Sequence, residues 1–176
     1  MKLMIASDIH GDIECTRALF EAFDREKADK LLLLGDLLYH GPRNDLPSHY
    51  APKEVIATLN ARKDVLFCVR GNCEADVDGM VLDFPVHAEY ALLFLDGICV
   101  FATHGHRFPP EECALKSGDC YLQGHTHVPK KEVREGVLYL NPGSVSLPKN
   151  GAPKTYLVYE NGEFTLKTMD GAPYTI

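Results

Sequence analysis

Short apolar runs that stop abruptly at polar residues set the pattern of this chain. Leu3–Ala6 run into Ser7, Asp8, Ile9 and His10, Leu31–Leu34 into Gly35 and Asp36, and Val65–Val69 into Arg70, Gly71 and Asn72. Cys99–Ala102 run into Thr103, His104, Gly105 and His106, and Cys120–Leu122 lead to Gly124, His125, Thr126 and His127. Each run reads as a strand. Leu31–Leu34 show no alternation, as expected where both faces of a strand are covered. Between the first two runs, Cys15, Ala18, Leu19, Ala22 and Phe23 recur at helical spacing. Asp12 stands where it can cap that helix, and the charged stretch Asp24–Asp29 closes it. Strands over 2–7 and 30–34 around this helix predict a β-α-β unit with parallel strands and a right-handed crossover. A polar loop over 39–52, a helix over roughly Lys53–Arg62 and a third strand over 65–70 follow.

The character changes after about residue 85. Tyr90–Leu95 and Ile98–Thr103 flank Asp96-Gly97, which predicts a β-hairpin. A short helix is expected after Pro109-Pro110 and a strand over 119–123. Val133, Val137–Leu140, Thr155–Tyr159 and Phe164–Thr168 read as further strands, with Glu135-Gly136 and Asn161-Gly162 as turns. A β-α-β front and a strand-rich back fit an α/β fold, borderline with α+β, of two stacked sheets flanked by helices.

The 176 residues suggest a single domain over 1–176, and 45% hydrophobic with 24% charged residues is ordinary for a globular protein. No apolar stretch approaches the roughly 20 residues of a membrane span. The N-terminus meets Asp8 too soon for a secretory leader. The six cysteines form no Cys-x-x-Cys pair and several fall in predicted core positions, so reduced thiols in a cytoplasmic protein are expected. A net charge of −7 without a Lys/Arg cluster disfavours bulk nucleic acid as a partner. It does not exclude a small anionic substrate, whose binding depends on local charge.

Polar residues at the C-terminal ends of packed strands gather along one edge, where open α/β sheets place their sites. Asp8, His10, Asp36, Asn72, His104, His125 and His127 are thereby expected in one place. His125 and His127, at i and i+2 on an extended segment, project to the same side. Mixed carboxylate and imidazole donors suit first-row divalent metals such as Mn, Fe, Zn, Co or Ni. No Gly-x-Gly-x-x-Gly or Gly-x-Ser-x-Gly occurs to favour hydride or acyl transfer.

Asp-x-His, Gly-Asp, Gly-Asn, a later His and Gly-His-Thr-His, in this order, resemble the calcineurin-like metallophosphoesterases. Gly71-Asn72-Cys73-Glu74, Asn141-Pro142-Gly143-Ser144 and the short length look like the small bacterial YfcE-like phosphodiesterases within that family. The resemblance implies an αββα sandwich. It further implies that Asp8, His10, Asp36 and His127 hold one ion, and Asp36, Asn72, His104 and His125 another, with Asp36 bridging. Manganese is the first expectation. Two ions about 3.5–4 Å apart would share a hydroxide that attacks phosphorus.

Many relatives carry His where this chain has Cys73. A thiol is the poorer general acid, which predicts a preference for small phosphodiesters over monoesters. Cys73, His106 and Asn72 are the candidate catalytic residues, and His40 and Arg43 on the 39–52 loop are candidate phosphate contacts. Two other readings stay open: a phosphomonoesterase, and a non-catalytic scaffold similar to the phosphoesterase-like retromer subunit. A homo-oligomer is compatible with either. Asn141-Pro142-Gly143-Ser144 reads as a turn that fixes the backbone behind His125 and His127.

Overall fold

Met4 and Ala6 turn to one face of the first strand, β1 (Leu3–Ala6), and Leu3 and Ile5 to the other, yet all four are buried. A strand can be apolar throughout only when both its faces are covered. The computed structural model describes residues 1–176. After β1 come α1 (Ile13–Glu26), β2 (Lys30–Leu33), α2 (Pro52–Asn60), β3 (Leu66–Cys68) and α3 (Asp78–Val81). The back half is β4 (Tyr90–Leu95), β5 (Ile98–Thr103), β6 (Cys120–Leu122), β7 (Lys130–Arg134), β8 (Val137–Asn141), β9 (Thr155–Glu160) and β10 (Glu163–Thr168).

The strands form two five-stranded mixed sheets, ordered β10-β9-β1-β2-β3 and β4-β5-β6-β8-β7. β1, β2 and β3 are parallel, as are β5, β6 and β8. Met4, Leu31, Leu33 and Leu66 pack with Leu19 and Phe23 of α1 and Val55 and Leu59 of α2. Leu3, Ile5, Leu32 and Leu34 pack instead against Val100, Ala102, Cys120 and Leu122 of the second sheet. The result is the expected α/β sandwich.

Its fourth layer is thin. Phe101, Tyr121 and Val137 on the outer face of the second sheet are covered by Phe108, Cys113 and Leu115. The helix expected after Pro109-Pro110 is one 3-10 turn, Pro110–Glu112. Ala114 at φ 50 and Gly118 at φ 94 interrupt any continuation. The third strand is shorter than 65–70, because Lys63–Val65 coil into a 3-10 turn and Arg70 turns away to donate to the Ala88 carbonyl at 2.7 Å.

Local chemistry explains the remaining elements. Asp12 caps α1 through a 3.0 Å bond from the Cys15 N–H, and Lys27 ends it in the left-handed region. Pro52 opens α2. Asp96-Gly97, Glu135-Gly136 and Asn161-Gly162 each pair two positive φ values, the geometry of two-residue hairpin turns.

Candidate metal centre

Five loops leave the C-terminal ends of β1, β2, β3, β5 and β6 and meet where the two sheets share an end. The site therefore spans both sheets instead of one sheet's edge. Asp8, His10, Asp36, His125 and His127 all sit at φ between 51° and 66°. Left-handed backbone at a non-glycine residue costs on the order of 1–3 kcal/mol and collects at functional sites. Here the turn reverses each strand end sharply enough to aim its side chain inward.

Three imidazoles are oriented by backbone carbonyls. His10 Nδ1 lies 2.8 Å from the Tyr39 carbonyl, His104 Nδ1 2.6 Å from that of Leu34, and His127 Nδ1 2.6 Å from that of Leu147. A carbonyl only accepts, so each Nδ1 carries the proton and each Nε2 presents a lone pair. Those lone pairs converge. His10 Nε2 and His127 Nε2 are 3.2 Å apart, and His127 Nε2 is 3.2 Å from Asp8 Oδ1. His10 Nε2 lies 3.6 Å from both Asp8 Oδ1 and Asp36 Oδ2. On the other side, His104 Nε2 faces Asp36 Oδ2 at 3.5 Å, Asn72 Oδ1 at 3.1 Å and His125 Nδ1 at 3.2 Å. Asp8 Oδ1 is buried with no hydrogen-bond donor.

Acceptors brought this close without protons between them repel one another, and a cation is the species that relieves it. The site fits divalent metal ions by this test. Asp8, His10 and His127 form one compact donor group, and Asp8, Asp36 and His104 form another. The electrostatics agree. Burial pushes the Asp8 and Asp36 carboxyls up, but the adjacent imidazoles, His10 and His127 at Asp8 and His104 at Asp36, outweigh it and hold both below the usual range. Burial opposes a charge on His104, yet Asp36 and Asp8 raise it to about 9, so without a metal ion the carboxylates draw a proton onto His104 Nε2 where a bound cation would take its place. His125 is held below its ordinary value by burial, with the charges of His104 and Arg43 contributing.

A rigid frame stands behind these side chains. Buried Glu74 accepts the N–H groups of Asp36 (2.9 Å), Leu37 (2.7 Å) and Gly71. A side chain at Gly71 would put its Cβ 2.2 Å from Asp36 Oδ1, so only glycine allows the β2 and β3 loops to approach so closely. Asn141 donates to the Gly124 carbonyl at 2.7 Å and to Thr126 Oγ1 at 3.0 Å. Ser144 and Ser146 both donate to the Asp8 carbonyl at 2.8 Å. The Asn-Pro-Gly-Ser turn thus braces the β6 loop as expected, and also braces Asp8. Sequence reasoning did not find the parts played by Glu74 and Ser146. Glu74 offered one signal, a carboxylate directly after the Gly-Asn turn.

A cleft of about 420 Å3 opens over the centre, lined among others by Asp36, Tyr39, Arg43, Asn72, Cys73, His125, His127 and Lys149. Arg43 and Cys73 are in it. His106 is beside it, its ring 5.3 Å from that of His104. Burial and the charge of His104 lower His106 to about 4. The His40 ring packs edge-on against Tyr39 and Tyr50 and is not among the cleft-lining side chains. Arg70 pairs with Glu89 and Asp76 at 3.8 Å.

Residues 1–163 match the calcineurin-like phosphoesterase superfamily domain. The chain is 46% identical over 162 residues to the phosphodiesterase YfcE of Escherichia coli, covering 92% of this chain and 88% of that one. The solved structure of YfcE, described as a phosphoesterase from E. coli, superposes with a TM-score of 0.95 at 43% identity, over 99% of this chain and 97% of that one. Vps29 from Entamoeba histolytica, at 18% identity, shares the fold with a TM-score of 0.64 over 94% of this chain and 90% of that one.

Proposed function

Because the chain belongs to the calcineurin-like phosphoesterase superfamily, we propose that it is a metal-dependent phosphodiesterase acting on small substrates. Asp8, His10, Asp36 and His127 hold one divalent ion, and Asp36, Asn72, His104 and His125 hold a second. Manganese is the first assignment, ahead of Zn, Fe, Co or Ni, all of which accept mixed nitrogen and oxygen donors. Such ions, when bound, polarise a phosphoryl oxygen and lower the pKa of a shared water.

The observation that carries this reading is the acceptor-only meeting of Asp8 Oδ1 with His10 Nε2 and His127 Nε2, at 3.6 and 3.2 Å. Asp36 supports the bridging role, since its Oδ2 lies 3.6 Å from His10 Nε2 and 3.5 Å from His104 Nε2. Its Oδ1 accepts the Cys73 N–H at 2.8 Å, which fixes the carboxylate plane. Asn72 turns a neutral oxygen toward His104, limiting the negative charge of the second site.

Cys73 stands in the cleft where many relatives carry histidine. Burial and the Asp36 carboxylate push its thiol far up, so it keeps its proton at neutral pH and gives it up reluctantly. A site with this acid favours diesters and good leaving groups over unactivated monoesters. His106 is neutral at pH 7 and packs on His104, which supports a positioning role. The convergence of every expected ligand favours catalysis over a scaffold role. We read residues 1–176 as one domain, with a core shared by both sheets. We place the protein in the cytoplasm, which keeps six free thiols reduced.

Hydrolysis of bis(p-nitrophenyl) phosphate and of p-nitrophenyl phosphate, each with added manganese, tests the reading. The expected result is a higher kcat/KM on the diester. Equal or greater efficiency on the monoester overturns the diesterase assignment.

A further inference from the structure

Two cations flank the mouth of the cleft in a protein whose net charge is −7. Arg43 lies on the loop that leaves the Asp36 strand end, and Lys149 lies beyond the Asn-Pro-Gly-Ser turn. Both side chains are exposed. Several other surface cations are paired with carboxylates: Arg107 with Glu89, Arg62 with Asp24, Lys167 with Glu26. Arg43 and Lys149 have no carboxylate partner. The acidic residues lining the cleft are Asp36 and Glu74. Asp36 belongs to the buried centre, and Glu74 is turned inward onto backbone N–H groups. Nothing at the mouth competes with an incoming anion.

The backbones of both residues are held to the centre. The Lys149 N–H donates to the His127 carbonyl at 3.1 Å. The loop bearing Arg43 is pinned where His10 donates to the Tyr39 carbonyl at 2.8 Å and Asn44 Nδ2 to the His40 carbonyl at 2.8 Å. The two side chains therefore start from backbone tied to the buried ligands and line the cleft above them. Asp8 and Asp36 are nearly inaccessible, so a scissile phosphate held at the centre would sit lower than these two cations. About 420 Å3 is also more room than one phosphate group fills.

We propose that Arg43 and Lys149 form a subsite for a second anionic group, so that the preferred substrate is a phosphodiester that also carries a phosphate away from the scissile bond. The proposal rests on the phosphodiesterase reading. Arginine offers paired donors to phosphate oxygens, and lysine adds a mobile point charge. A positive rim on an acidic surface also selects among anions before they reach the centre.

The test uses the manganese-loaded protein and two matched esters, thymidine 5′-(p-nitrophenyl phosphate) and the same compound with a 3′-phosphate. The expected kcat/KM is roughly tenfold higher on the 3′-phosphorylated ester, carried by KM. In the double variant Arg43→Gln, Lys149→Gln the ratio between the two esters should fall toward one. An unchanged ratio in that variant, or a loss shared equally by both esters, overturns the subsite. Calorimetric binding of thymidine 3′,5′-bisphosphate against thymidine 5′-monophosphate gives a readout without turnover. Preference for the bisphosphate that needs Arg43 and Lys149, without hydrolysis of either ester, keeps the subsite and removes the diesterase. Hydrolysis of both esters without preference does the reverse.

Discussion

His10 Nε2 and His127 Nε2 face each other across 3.2 Å, and each ring has its Nδ1 proton engaged by a backbone carbonyl. The carboxylate oxygen Asp8 Oδ1 lies 3.2 Å from His127 Nε2. Three lone pairs thus share one buried point. A bound cation turns this repulsion into coordination, so metal binding and fold stability are linked. Manganese at 100 times its dissociation constant should add about 2.7 kcal/mol for each ion held. For a chain of this size that raises Tm by roughly 5–10 °C over the chelator-treated protein. Differential scanning calorimetry checks it; coincident Tm values with and without manganese would contradict the link.

Cys73→His should raise the monoester-to-diester ratio of kcat/KM, because an imidazole donates a proton near neutrality where this thiol holds its own. The space is tight: a Cβ built on Gly41 would lie 3.2 Å from Cys73 Sγ. The larger ring must therefore turn into the cleft, toward the leaving group. Steady-state rates on the two p-nitrophenyl esters measure the ratio. No change would mean that position 73 does not reach the leaving group.

Glu74→Gln should destabilise by about 1–3 kcal/mol, since an amide offers one acceptor oxygen to three backbone donors and turns its own N–H groups on the rest. The Asp36 turn is the part that loosens, so manganese affinity should fall with stability. Urea unfolding of the chelated protein isolates the first effect and a manganese titration the second. Wild-type stability in the variant would show that Glu74 is not the brace of the β2 and β3 loops.

Far from the site, Glu26 is buried between α1 and β9-β10. Burial would raise its pKa, but hydrogen bonds from Lys167 and Tyr156 and the charges of Lys167 and Lys2 hold it below its ordinary 4.5. A depressed carboxyl stabilises the fold above its unfolded value and loses that contribution as pH falls through the folded one. Lys167→Met should cost about 1–3 kcal/mol at pH 7. The gap between wild type and variant should narrow below pH 4.5. Chemical denaturation at a series of pH values reads this; a gap that widens in acid would contradict it.

Strand ends and hairpins were readable in the sequence because single residues dictate them. Leu31–Leu34 need two covered faces, and Asp96-Gly97 needs two positive φ values. The gathering of the candidate ligands was readable for the same reason, since each of the five segments that carry them comes just after an apolar run. The α3 turn was not, because Asp78–Val81 carries no apolar period and only Asp78 is buried. The thin fourth layer was hidden too: Phe108 and Leu115 cover the second sheet from irregular backbone, which has no repeat to read. The brace formed by Ser144 and Ser146 depends on a carbonyl more than 130 residues away in the chain. No local pattern announces such a contact.

Manganese stoichiometry, measured by elemental analysis of wild type and Asp36→Asn after loading and desalting, tests the account at its centre. Two ions per chain are predicted for the wild type. In the variant, loss of the bridging carboxylate should leave one or fewer, and kcat/KM on bis(p-nitrophenyl) phosphate should fall by about a hundredfold or more. Two ions retained in Asp36→Asn, or fewer than two in the wild type, would contradict a dinuclear centre bridged by Asp36.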